Sequence, residues 1–265
     1  VPSKKPVSPN RIVIIIVSGL LALIGSVGLI YIVHIAKGKV HDVFTIESMS
    51  SIPIAIKTPY LNTESEIKKH FLKETIQLEL KKIIAPNTSI CISSNTNHEG
   101  RQLHTTELAY ALKQQNRKVL IFDFQNIICA SGIEVIDMSD EKYRKMNPEK
   151  LKIEIQKMSQ GYDIILFDNE DLENERIGLL LMSLANHNLY VVDSRKTPTK
   201  HIQEIDIIKH DFDIKKMSFV MNKYLYNPSV IKETLKLIGY FKTRVYKKLN
   251  NEKKRNKKII LIKEK

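Results

Sequence analysis

The sequence predicts an α/β domain, with a parallel sheet and helices on both faces, preceded by one transmembrane helix. Two observations predict it. Residues 12–36 form a long apolar stretch with one ionisable side chain, His34. From residue 89 onward, short and continuously apolar runs alternate with stretches of helical period. Such runs are what strands of a parallel sheet covered on both faces look like, and strand–helix alternation gives an α/β layered fold.

The elements follow in chain order. Residues 1–10 carry Pro2, Pro6 and Pro9 and form a stiff juxtamembrane segment. The chain begins with Val1, so further chain upstream is expected. Residues 11–36 are the transmembrane helix: about 20 apolar residues cross a bilayer core, and hydrocarbon leaves backbone polar groups no partner outside a helix. Tyr31 and His34 suit the interface, and Gly19, Gly25 and Gly28 are tolerated in such a helix. The alternatives are a buried core helix, which the length opposes, and a signal peptide, which needs a shorter apolar stretch and a cleavage site. Residues 37–62, with Pro53 and Pro59 and no long periodic run, read as a linker.

Residues 63–248 read as the soluble domain. Its first helix spans 63–83, with Ile67, Phe71, Ile76, Leu80 and Ile83 near helical spacing and Thr63/Glu66 as a capping box. Strands are expected at 89–94, 118–124, 162–168, 189–193 and 217–222. Helices are expected at 101–116, 148–159 (with Pro148 in its first turn), 173–186, 198–210 and 228–248. Ligands in such folds bind beyond the C-terminal strand ends, so the loops after Ser94, Phe122, Phe167, Val192 and Val220 are the informative ones.

The formal charge is +13, from 42 basic and 29 acidic residues. Residues 249–265 are a basic tail, and the wider stretch 241–265 holds 11 Lys/Arg against two Glu. Beside a membrane such a stretch meets anionic lipid head groups at about 1 kcal/mol per charge, whereas a membrane anchor argues against nucleic acid. A solvated end is the plain alternative. Cys91 and Cys129 lie in apolar runs and read as buried free thiols, with neither a disulfide framework nor metal spacing. Lys4, Lys5 and Arg11 on one side of the span and Lys37 and Lys39 on the other do not decide its orientation.

The chemistry centres on SSNTNHEGRQLHTTELAYAL, between a strand and a helix. A phosphate-binding loop, GxxxxGK[ST], sits at such a junction because backbone N–H groups and a helix N-terminus cradle phosphate. Here Asn95 replaces the first glycine, Gly100 is kept, Arg101 takes the lysine position and Gln102 the Ser/Thr position. His98 and His104 flank the loop without partners at metal spacing, and no Ser–His–Asp order is present.

The ordered set of near-motifs resembles the nucleotide-binding region of bacterial tyrosine kinases of the polysaccharide co-polymerase group, the chain-length determinants of capsule and exopolysaccharide. Glu99-Gly100-Arg101-Gln102, Glu107-Leu108-Ala109 and Val119–Asp123 stand where that family has Glu-Gly-Lys-Ser/Thr, Asn-Leu-Ala and its Walker A′ strand. YDIILFDNE resembles its Walker B strand, with Asp168 as the acid; Val191-Val192, Lys196-Thr197 and Val220–Lys223 resemble its later part.

The resemblance implies a P-loop NTPase-like fold in an inner-membrane protein, with the C-terminal domain cytoplasmic and residues 1–10 periplasmic. It implies a role in polysaccharide chain-length control or export, with like subunits or export-machine components as partners. Were the site active, Arg101, Asp123 and Asp168 would carry catalysis, and Gln102 and Asp168 would hold Mg²⁺. Gly100, Arg101, Gln102 and Asn222 would hold ATP or ADP.

The departures point away from catalysis. Lys has become Arg101, Ser/Thr Gln102, and the second Walker A′ acid Gln125. The family's Arg-rich helix ahead of the loop is KKHFLKETIQLELKK, and its Tyr-rich cluster has only Tyr240 and Tyr246 as candidates, which read equally as helix-packing residues. Asp123 and Asp168 have a structural alternative too, as caps at strand ends. Three function classes stay open: a pseudo-kinase co-polymerase, an active ATP-dependent tyrosine kinase or ATPase, and a membrane-anchored scaffold unrelated to polysaccharide.

Overall fold

The structure, a computed structural model, describes residues 11–36, 38–40, 42–96, 98–171, 176–214 and 216–224. The expected helix 228–248, Tyr240, Tyr246, the basic stretch 241–265 and residues 1–10 lie outside the described residues.

The elements run α1 (Arg11–Ala36), α2 (Val43–Met49), β1 (Ile54–Pro59), α3 (Glu64–Leu80), β2 (Thr88–Ser94), α4 (Arg101–Gln114), β3 (Val119–Asp123), β4 (Glu134–Asp137), α5 (Glu141–Arg144), α6 (Pro148–Met158), β5 (Ile164–Asp171), α7 (Arg176–Leu184), β6 (His187–Asp193), α8 (Lys200–Asp211) and β7 (Met217–Tyr224). The window Ile12–Leu29 of α1 is long and apolar enough to cross a membrane, and none of it is buried.

The seven strands form one sheet in the order β1-β7-β6-β2-β5-β3-β4, every pair parallel. Two apolar layers cover it. On one face Ile90, Ile92, Ile121, Leu166 and Val191 pack with Leu78 of α3 and Leu108 and Leu112 of α4. On the other, Cys91, Phe122, Phe167, Tyr190 and Phe219 pack with residues of α6, α7 and α8 such as Leu151, Leu181 and Ile202. Successive strand residues face opposite sides, so the stretches covered on both are apolar, as Val119–Phe122, Ile164–Phe167 and Leu189–Val192 are.

Residues 37–62 are not a linker. They supply α2 and the edge strand β1, which pairs with β7 from Ile54 opposite Phe219 to Pro59 opposite Tyr224. Two prolines hid the strand; an edge strand tolerates proline because one row of its N–H groups has no ladder partner to lose. The thiol expectation holds for Cys91, which is buried and free, and not for Cys129, which is free but exposed.

Candidate functional site

The C-terminal ends of β2, β3, β5, β6 and β7 bring the candidate loops together, and Arg101 is at their centre. It opens α4 after Gly100, whose φ of +103° is left-handed. A Cβ at Gly100 would stand 2.1 Å from Asn222 Nδ2, so only glycine fits this approach. Asn222, at the end of β7, uses that nitrogen to donate to the Glu99 carbonyl at 2.7 Å.

The Arg101 side chain is 1% exposed. Its Nε donates to Asp168 Oδ1 at 3.3 Å, and its Nη1 to Asp171 Oδ1 at 3.0 Å and, at 3.5 Å, to Ser94 Oγ. Its Nη2 donates to Gln125 Oε1 at 2.6 Å. The planar fork of a guanidinium suits several acceptors at once, which an ammonium would not match. Asp168 also accepts from Thr105 Oγ1 at 2.8 Å, and Thr105 stands four residues after Arg101, one turn along the same helix face. Burial pushes the Asp168 carboxyl up to about 6, against the pull of the Arg101 charge and the Thr105 hydroxyl.

The other expected site residues are placed differently. Asp123 accepts four backbone N–H groups, from Gln125, Asn126, Ile127 and Ile128, at 2.6–3.0 Å. Its carboxylate folds the loop after β3, which is the strand-cap alternative. Gln102 is exposed and donates its amide to the Ile127 carbonyl at 2.6 Å, so it is engaged on that loop and not paired with Asp168. Among the described residues no group of three or more His, Cys, Asp or Glu is arranged to hold a metal ion. His104 is a core histidine: it contacts Thr58 Oγ1 at 2.9 Å and the Gly100 carbonyl at 2.8 Å, and burial lowers its pKa to about 4.

The sequence offers Glu99 and Thr197 as motif positions without a role, and Thr105 and Asp171 not at all. The buried Glu99 carboxylate accepts the N–H groups of Asn95 and Thr96 at 2.8 and 3.2 Å and the Thr197 hydroxyl at 2.5 Å. Two loop N–H groups of the kind that cradle a phosphate are thus bound to the loop's own carboxylate. Asp171 was findable: the acidic run after Phe167 continues β5 beyond Asp168, and β5 ends at Asp171.

These residues do not fit a nucleotide with Mg²⁺. The cation that would meet the phosphates is enclosed by two carboxylates and an amide, the Ser/Thr-position residue faces the Ile127 loop, and Glu99 takes loop N–H groups. What the arrangement supports is a closed, charge-paired core to the loop, with the guanidinium lying among acceptors of the kind that surround a divalent cation in a P-loop site.

No protein-family model matches the sequence, and neither does any curated protein. Among solved structures, the kinase domain of Escherichia coli tyrosine kinase ETK superposes with a TM-score of 0.57 at 12% identity, over 70% of this chain and 95% of that one. The BceF tyrosine kinase domain gives 0.55 at 12% identity, over 70% and 99%. The chimerical protein CapA2B2 gives 0.55 at 15% identity, over 67% and 97%. The chain therefore has the fold of bacterial tyrosine kinase domains, as the motif order implied.

Proposed function

We propose that this chain is a non-catalytic, membrane-anchored component of a surface-polysaccharide machine, acting in chain-length control or export. Its kinase-like domain works in the cytoplasm by assembling like subunits or partner components. The observation that carries the non-catalytic part is the burial of Arg101 between Asp168, Asp171 and Gln125. A guanidinium held this way cannot also follow a phosphoryl group through a transition state, and loss of such stabilisation costs orders of magnitude in rate. The polysaccharide role is supported by the fold, the near-motifs and the apolar helix ahead of the domain.

The test is the full chain in detergent with ATP and Mg²⁺. The expected outcome is no phosphotyrosine and no phosphate release above the level of an Asp168→Ala variant. Turnover that Asp168→Ala abolishes would establish the active-enzyme reading instead. For the polysaccharide role, deletion of the gene should change the length distribution or amount of surface polysaccharide; an unchanged surface would leave the scaffold reading.

A further inference from the structure

We infer that the edge of the sheet carrying the Gly100 loop docks on anionic lipid head groups, through Lys39, Lys196 and Lys200 with Phe44 beside them. The inference rests on the membrane anchoring proposed above, and starts from how the chain leaves α1. Residues 38–40 are fastened to the turn between β6 and α8. Thr199 N–H donates to the Gly38 carbonyl at 2.8 Å, and Val40 N–H to the Thr197 carbonyl at 2.9 Å. Lys39 forms an isolated antiparallel bridge with Pro198, and Val40 is fully buried.

Three residues separate Ala36, the end of α1, from Val40, so over four steps of about 3.5 Å the reach is at most about 14 Å. A helix of 26 residues is about 39 Å long, close to the thickness of a bilayer with its head groups. The β6–α8 turn is thereby held within about 14 Å of the end of α1. This turn lies at the C-terminal edge of the sheet, where Thr197 Oγ1 reaches Glu99 of the loop and Lys196 Nζ donates to the His98 carbonyl at 3.2 Å. The short tether fixes which edge meets the membrane.

The chemistry of that edge fits an anionic surface. Lys196 and Lys200 are exposed and Lys39 is half-exposed. Arg195 lies over the Tyr60 ring and is paired with Asp193 at 3.9 Å. Of the acids nearby, Glu99 and Asp193 are buried and turned inward, while Asp42, which caps α2 through Thr45 N–H, and Glu47 are exposed on either side of Phe44 in the sequence. Exposed Glu204 offsets Lys200 at 3.8 Å and leaves the other two lysines unopposed by it. Phe44, in the first turn of α2, is 77% exposed, a large apolar ring two residues from the N-cap Asp42 and four from Val40. Each basic side chain near an anionic leaflet is worth about 1 kcal/mol, screened by salt, and an aromatic ring suits the interface.

The experiment uses the full chain in nanodiscs, neutral or with 30% anionic lipid on the order of a natural leaflet, in a Cys129→Ser background. Fluorophores go at Lys196→Cys or, as a control at the opposite edge of the sheet, at Lys118→Cys, with quenchers on the lipid. The expected result is quenching at 196 at least threefold stronger than at 118, greater in anionic discs, and lowered there by Lys39→Glu with Lys200→Glu. Equal quenching at both positions, or indifference to lipid charge, overturns the docking while leaving the anchor intact. Loss of the chain from the discs at alkaline pH overturns the anchor as well.

Discussion

At the scale of single residues, the decisive fact is the direction in which Arg101 points. The sequence places an arginine in the lysine position of a phosphate-binding loop but does not say where its side chain goes. That depends on Asp171, which reaches the site only because β5 runs three residues past Asp168. Truncation therefore does more than remove a charge: Asp168 and Asp171 lose their cation, and one is fully buried. Breaking a buried pair by removing one partner costs roughly 3–5 kcal/mol, so Arg101→Ala should lose stability on that order. Arg101→Lys should lose less, because an ammonium keeps the charge but cannot reach Gln125, Ser94 and both carboxylates together. Urea unfolding of the full chain in detergent checks both. An Arg101→Ala variant as stable as the parent would mean the cluster contributes nothing.

At the scale of elements, what could be read depended on length and burial. The strands buried on both faces (β2, β3, β5, β6 and β7) were legible because short runs of three or four apolar residues recur between stretches of helical period. The edges were not. β1 has Lys57 exposed mid-strand and Pro59 at its end, and β4 is four residues with an acid at each end. Half-covered strands lose the apolar signal, and guarded edges disguise it further. Helix starts were legible where capping was explicit. The Thr63 side chain accepts Glu66 N–H at 3.3 Å, and Glu66 Oε2 accepts Thr63 N–H at 3.1 Å. Thr63→Ala should cost about 1 kcal/mol, and Thr63→Ser almost nothing, in the same unfolding assay. Equal losses for the two would show that the methyl group matters and the hydroxyl does not.

At the scale of the whole molecule, the buried titratable groups set how the domain answers acid. His104 and His187 have pKa values lowered to about 4 by burial, below the ordinary 6.5. Their neutral forms contribute stability that is present above about 6.5 and lost as pH falls through about 4. Asp168 runs the other way. Its pKa is raised from 3.8 to about 6, chiefly by burial, so its contribution is fully present below 3.8 and lost as pH rises through about 6. Glu99, raised by burial against three hydrogen bonds, pulls in the same sense as Asp168. Opposed terms flatten the parent's own curve, and a comparison with Asp168→Asn isolates one of them. The amide keeps an acceptor for Arg101 and Thr105 but does not titrate, and the histidine and Glu99 terms cancel between the two proteins. A displacement of about two pKa units is worth about 3 kcal/mol. The parent's stability relative to Asp168→Asn should therefore fall by about that amount between pH 4 and pH 7. Urea unfolding of both proteins across this range measures it. A flat difference, or one that rises with pH, would mean that Asp168 ionises as an ordinary carboxylate under the charge of Arg101.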